Sequence, residues 1–282
     1  MATAKQMSFE LRGADGGPMR GRVQTARPEE GRPAVIVCHG FKGFMDWGMF
    51  PPLAGRLANA GFTAISFNFS GSGVGPDGES FDEPERFARD TYLRQLADLE
   101  TVCEAARDGT LVPGLVPPRR LGLFGHSRGG VAALFKASED ATASALVTWS
   151  SIANVHRWSP ETVKQWRATG KLDVINTRTG QNLPISTDIL DEVERHASGR
   201  LDLVKAAARV QAPWLIIHGD RDEAVAVENG RDLHRASAGK ATFREIKGGG
   251  HTFGARHPWQ GSTPELNQAM DATVEWFGRY LL

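Results

Sequence analysis

The sequence predicts an α/β fold, with a mostly parallel central sheet, helices on both faces and a small helical insertion. Three observations predict it. The runs PAVIVCHG (33–40), FTAISFNF (62–69), RLGLFG (120–125), ALVTWS (145–150) and PWLIIHG (213–219) are apolar and rich in β-formers, as strands buried on both faces require. Helical patterns stand between most of them, and that alternation builds a parallel sheet. A chain of 282 residues is long enough for one large domain of this kind.

The elements follow in order. Residues 7–13 and 19–26 read as two short antiparallel strands around the turn signal ADGGP. After the strand at 33–40, FPPLAGRLANAGF reads as a helix closed by Gly61. The strand at 62–69 leads to FARDTYLRQLADLETVCEAARDG, one long amphipathic helix with Tyr92, Leu93, Leu96, Leu99, Val102 and Cys103 on its apolar face. The strand at 120–125, a helix over 128–138 and the strand at 145–150 come next. Past the strand at 213–219, a helix near 226–237, the strand TFREIKG (242–248) and a helix over ELNQAMDATVEWFGRYLL complete the chain. Residues 152–200 interrupt the alternation. They are polar, broken by Pro160, Gly170, Gly180, Pro184 and Gly199, and contain the helix-like pieces SPETVKQWRATG and TDILDEVERH. A structureless loop of that length is uncommon inside a domain, so 152–200 is expected to be a cap on a core made of 1–151 and 201–282.

Composition narrows the function. Basic and acidic residues balance at 33 each, so no net field draws nucleic acid or an anionic membrane, and no basic-aromatic pattern suggests nucleic acid. Cys38 and Cys103 stand alone and form neither a disulfide framework nor a metal pattern. They read as reduced, buried thiols, which fits the cytoplasm. The opening MATAKQMSFELRG lacks the apolar core of a signal peptide, and no apolar run approaches the length of a membrane span. GVGPDG (73–78) matches a dinucleotide-loop pattern, but Pro76 and Asp77 stand where the helix would begin. Asp77, Glu79, Asp82 and Glu83 would also repel a pyrophosphate. No cofactor or metal is expected.

The stretch GLFGHSRGGVAAL (122–134) carries the chemistry. Gly125-His126-Ser127-Arg128-Gly129 satisfies G-x-S-x-G, with a strand entering and a helix leaving. Small residues alone suit a tight βα turn. The same turn would also present the Ser127 hydroxyl at the carboxyl end of the sheet, where such folds bind ligands. The amide of Arg128 would lie at a helix N-terminus, where negative charge is favoured.

From residue 33 to 282 the chain resembles the α/β-hydrolase superfamily. The resemblance rests on HGFKG after the third strand, GHSRGG after the fifth, HGDRDEAV after a late strand and GGGH after the last, in that order. FTAISFNFSGSGVG is also similar to the segment after the first helix in small esterases of the superfamily, including cinnamoyl and feruloyl esterases and relatives of acylaminoacyl peptidases. The resemblance implies an α/β-hydrolase fold and a serine hydrolase, with Ser127 as nucleophile, an acid and then a histidine. His251 directly follows the last strand and is the expected base; His257 is a weaker rival. His39, His126 and His218 belong to motifs and read as structural, and His156, His196 and His234 as surface residues. The superfamily pattern H-G-x-x-D-x-x-V selects Asp222, with Val225 in register, and leaves Asp220 as a turn residue. The oxyanion is expected to be held by the backbone N–H groups of Phe41 and Arg128. The Arg128 side chain then pairs with an acid, contacts substrate or lies solvated.

Trp47, Trp149, Trp158, Trp166 and Phe253 are expected to line an apolar pocket, with Trp259 near its mouth. The implied activity is a carboxylesterase acting on small or aromatic-acyl esters. A peptidase or amidase with the same residues is the alternative, and a non-catalytic ligand-binding protein on this fold is the reading from another class. The expected partner is a small-molecule ester, without nucleic acid or membrane. A homodimer stays open, as do acyl length and the natural alcohol.

Overall fold

The computed structural model describes residues 4–177 and 179–282. The chain opens with an antiparallel hairpin, β1 (Lys5–Arg12) and β2 (Pro18–Thr25). Then follow β3 (Ala34–Cys38), α1 (Phe50–Asn59), β4 (Thr63–Phe67), α2 (Pro84–Ala88) and α3 (Tyr92–Arg107). The middle of the chain forms β5 (Leu121–His126), α4 (Arg128–Glu139) and β6 (Ala143–Trp149). An insertion holds α5 (Pro160–Thr169), β7 (Lys171–Ile175), β8 (Asn182–Ser186) and α6 (Asp188–His196). The chain closes with α7 (Leu203–Arg209), β9 (Trp214–Gly219), α8 (Glu228–Ala236), β10 (Ala241–Ile246) and α9 (Pro264–Leu281).

Eight strands make one sheet in the order β1-β2-β4-β3-β5-β6-β9-β10, antiparallel at the β1/β2 edge and parallel from β4 to β10. Successive side chains on a strand point to opposite faces, and β3 divides its residues accordingly. Val35 and Val37 join the layer made by Leu53 and Leu57 of α1 and by Met270 and Phe277 of α9. Ile36 and Cys38 join the layer made by Leu96 and Leu99 of α3 and by Val131 and Leu134 of α4. A fully buried Leu or Phe in either layer contributes about 1.5–3 kcal/mol. This two-sided burial is why the central strands read as unbroken apolar runs.

The single helix expected over 87–109 is two helices. Thr91 is extended, and its side chain accepts from the Arg94 N–H at 3.4 Å, which starts α3 afresh. Asp90 is thereby turned into the interior, where Gln95 Nε2 donates to it at 2.7 Å. The insertion departs from an all-helical cap as well. Its helices flank a two-stranded antiparallel hairpin, Lys171↔Ser186 to Ile175↔Asn182. Trp166 is buried beneath it and donates Nε1–H to the Ile185 oxygen at 2.9 Å. Hydrogen bonds tie the hairpin to the main body: Lys42 Nζ donates to the Ile175 oxygen at 3.2 Å, and Gln181 Nε2 to the Phe81 oxygen at 2.8 Å. Among the described residues no helix is long and apolar enough to cross a membrane.

Candidate active site

Ser127 stands alone between β5 and α4 at φ 54° and ψ −119°, a conformation that costs a non-glycine residue about 1–3 kcal/mol. The surroundings hold it there. Its N–H donates to the Trp149 oxygen at 2.8 Å, and its own oxygen accepts from Gly130 N at 3.0 Å. The helix can start this close to the sheet because Gly129 has no side chain: a Cβ there would lie 2.3 Å from the His39 oxygen and 2.5 Å from the Cys38 oxygen.

Two loops from the far side of the sheet, beyond β6, converge on this serine. The loop after β10 brings His251 over it, with Nε2 at 3.1 Å from Ser127 Oγ. The loop after β9 brings Asp222, whose Oδ2 lies 2.8 Å from His251 Nδ1. Oδ1 of Asp222 accepts from the N–H groups of Ala224 at 2.9 Å and Val225 at 2.8 Å. Burial alone would raise this carboxyl. Hydrogen bonds from His218 and His251, the charge of His251 and the Val225 amide outweigh it, and the group stays well below the usual carboxylate range. Asp220 does more than close a turn: its Oδ1 accepts from Gly248 N at 2.6 Å and so links the two loops.

The motif histidines fix the backbone around the serine. Phe69 donates its N–H to His39 Nε2 at 3.2 Å, so the proton of His39 sits on Nδ1, 2.9 Å from the Gly40 oxygen. His126 Nε2 lies 2.9 Å from the His251 backbone oxygen. Burial lowers His39 to about 4 and His126 to about 3, helped by the charges of Arg128 and His251 respectively, so both rings are neutral at pH 7. His218 is fully buried, with Nε2 at 2.8 Å from the Val225 oxygen and 3.4 Å from Asp222 Oδ2.

The N–H of Arg128, the first residue of α4, has no intrahelical acceptor. Across from it, Gly40 packs so closely that a Cβ there would lie 3.0 Å from Ser127 Cβ. The adjoining Phe41 N–H donates to no backbone oxygen in the turns and loops of the described residues. The side chain of Arg128 turns inward, 3.2 Å from Asp90 Oδ2 and over the ring of Tyr92. This is the acid pairing that the sequence left open.

Ser127 and Phe41 border two cavities. One, of about 340 Å³, is lined also by Lys42, Trp47, Phe50, His251 and His257, and by Asn176 and Thr177 from the hairpin tip. The other, of about 240 Å³, lies between Arg128, Tyr92, Arg157, Trp158 and the hairpin residues Val174 and Ile185. Trp47 borders the larger cavity and Trp158 the smaller. Trp149, Phe253 and Trp166 border neither. Trp149 packs edge-on against Phe124 and Phe253 and donates Nε1–H to Thr273 Oγ1 at 2.9 Å. Trp166 packs edge-on against Trp158 in the interior of the insertion. Trp259 is exposed. Asp90, Tyr92 and Arg157 were missed. The only signal for the first two was Asp90-Thr91, of which Thr91 caps α3. GVGPDG is a loop whose turn is closed by Asp77 Oδ1 accepting from Glu79 N and Ser80 N at 2.9 Å. Among the described residues no group of three His, Cys, Asp or Glu side chains could hold a metal ion.

Comparison with known proteins places this geometry in a wider set. The profile of the Alpha/beta hydrolase family matches residues 35–262. The chain is 25% identical over 214 residues to 2,6-dihydropseudooxynicotine hydrolase of Paenarthrobacter nicotinovorans, a match that covers 74% of this chain but only 49% of that protein. Among solved structures it is similar to ferulic-acid-bound Est1E from Butyrivibrio proteoclasticus, with TM-score 0.73 and 18% identity over 95% of this chain and 98% of that one. It is also similar to a puromycin-hydrolyzing peptidase of Mycobacterium tuberculosis, with TM-score 0.67 and 21% identity over 99% of this chain and 39% of that one. At these identities the two structures speak for the fold.

Proposed function

The chain belongs to the alpha/beta hydrolase family, and from that premise we propose that it is a serine hydrolase that cleaves carboxylic esters through an acyl-enzyme. One observation carries this reading: a single imidazole, His251, reaches Ser127 Oγ at 3.1 Å with one nitrogen and a buried carboxylate at 2.8 Å with the other. Asp222 can only accept, so the ring proton sits on Nδ1 and Nε2 is left bare to take the serine proton. Ser127 Oγ attacks the ester carbonyl as its proton passes to Nε2. The developing oxyanion is received by the N–H groups of Phe41 and Arg128, each such donor being worth roughly 3 kcal/mol of transition-state stabilisation. Asp222 stabilises the imidazolium, which then protonates the departing alcohol. Water enters, gives its proton to Nε2 and releases the acid, and Ser127 recovers its proton.

The two cavities divide the substrate. His251 must reach the leaving oxygen, and it borders the larger cavity, so the alcohol lies there. The smaller cavity, bordered by Arg128, takes the acyl group and suits a small or aromatic one.

The test is hydrolysis of p-nitrophenyl esters from acetate to long acyl chains, with Ser127→Ala beside the wild type. The expected result is turnover by the wild type and a loss of about a thousandfold or more in Ser127→Ala. A Ser127→Ala variant that keeps its activity would overturn the assignment.

A further inference from the structure

The acyl cavity contains a cation whose bonding is unfinished. Arg128 is 7% exposed, yet neither its Nε nor its Nη2 makes a hydrogen bond, although Nη2 stands 3.2 Å from Asp90 Oδ2. That oxygen already accepts from Gln95 Nε2 at 2.7 Å. The guanidinium otherwise rests over the rings of Tyr92, at 4.7 Å, and Phe41, at 5.8 Å, contacts that supply no acceptor. A guanidinium carries five N–H donors in a planar fork that matches a carboxylate.

A second arginine borders the same space. Arg157 Nη2 donates to the Ala224 oxygen at 3.0 Å, and no carboxylate pairs with this residue among the described ion pairs. Among the described residues no acid lines the cavity. Its other walls are aromatic and aliphatic, including Tyr92, Trp158, Val174, Ile185 and Ile189. Two cations among apolar walls select against a cationic substrate and leave a plain hydrocarbon chain with no use for either fork. An anion fits both, and charge-assisted bonds are stronger than neutral ones.

Resting on the ester-hydrolase reading, we propose that the natural acyl group bears a carboxylate: the substrate is a half-ester of a short dicarboxylic acid, its free carboxylate received by Arg128 and Arg157. Hydrolysis consumes one water and yields the alcohol, the dicarboxylate and a proton, with no redox partner.

The experiment compares monomethyl glutarate with methyl 5-oxohexanoate, a neutral ester of the same shape, and with methyl hexanoate, by methanol release at neutral pH. p-Nitrophenyl acetate reports general esterase activity. The wild type is expected to prefer the half-ester in kcat/KM by about tenfold or more, and Arg128→Met and Arg157→Gln each to reduce that preference about tenfold. Arg157 is exposed, so its variant keeps the test open if Arg128→Met does not fold. Equal turnover of the keto-ester by the wild type, or an unchanged preference in Arg157→Gln, would overturn the proposal while Ser127-dependent hydrolysis of p-nitrophenyl acetate left the esterase reading standing. Failure to hydrolyse any of the four esters would overturn both.

Discussion

His126 donates its Nε2–H to the backbone oxygen of His251 across 2.9 Å. A carbonyl only accepts, so the ring carries its proton on Nε2 and is neutral, in keeping with the depression of its pKa by burial. The two rings lie 4.7 Å apart between centroids. The residue before Ser127 therefore fixes the backbone of the residue that must reach Ser127, although 125 positions separate them in the chain.

This makes His126 a positioning residue with a distinctive signature. His126→Phe removes the donor and keeps a ring of similar size. One such bond is worth about 1 kcal/mol, so kcat should fall about five- to tenfold while KM changes little. His126→Gln keeps a donor and should recover part of the loss. A variant that melts earlier but retains full kcat would leave the histidine a packing residue.

Asp222→Asn should be far more severe, for a reason visible in the bonding. The N–H groups of Ala224 and Val225 both point at Oδ1 and would hold the amide oxygen there. The amide NH₂ would then face His251 Nδ1, which would have to give up its proton and become the acceptor. The ring proton would move to Nε2, where it cannot take another from Ser127. Activity on p-nitrophenyl esters should drop by about a thousand- to ten-thousandfold with the fold intact. Asp220→Asn keeps an acceptor for Gly248 N and should retain most activity. Comparable losses in the two variants would refute this division of roles.

The strands and the serine turn were legible because their physics is local. Burial on both faces leaves an unbroken apolar run, and a strand–Ser–helix turn shows in five residues. The hairpin at Lys171–Ile175 and Asn182–Ser186 was not, since its two five-residue strands are too short for a period of two to stand out from a broken helical pattern. The break before α3 was hidden by the helical spacing on either side of Asp90 and Thr91. Aromatics near a motif were a poor guide to the cavities. Trp149 ends β6 one step from Thr148, and alternation along the strand puts that tryptophan against α9, where Thr273 receives its N–H. Trp47 and Trp158 do border cavities, but so do Tyr92 and Asn176, from segments remote in the chain. No spacing rule could have joined these residues before the fold was known.

Asp90 gives a pH prediction. Burial pushes its carboxyl up to about 7 despite the nearby Arg128 charge, so between about pH 5 and 6.5 the folded chain holds a proton there that the unfolded chain has released. His39 and His126 do the reverse: unfolded, they bind protons below about 6.5, while burial keeps them bare in the fold. Their contribution to stability is present above 6.5 and is lost on acidification, and Asp90 offsets part of that loss. Asp90→Asn removes the offset. Urea unfolding should show stability falling more steeply from pH 6.5 to 5 in Asp90→Asn than in the wild type, by up to about 1.4 kcal/mol per pH unit. Parallel pH profiles would mean that Asp90 is ionised across this range.

Two adjacent glycines in α4 should respond very differently to the same substitution. At Gly129 an added methyl meets backbone, the His39 oxygen at 2.3 Å and the Cys38 oxygen at 2.5 Å. Relief would require α4 to move off β3 and would carry Ser127 and the Arg128 amide with it. At Gly130 the nearest atoms are Oγ of Ser151 at 2.6 Å and its Cβ at 2.7 Å, a small side chain that can be removed. Gly129→Ala should therefore cost more than about 3 kcal/mol, and no single side-chain truncation should restore it. Gly130→Ala should be milder, and adding Ser151→Gly should recover most of its loss in stability and ester hydrolysis. Urea midpoints and initial rates for these three variants beside the wild type decide the matter. A Gly129→Ala protein as stable and active as wild type would show that the helix has room to move, and that the close packing of α4 on β3 is not what holds Ser127 in its strained conformation.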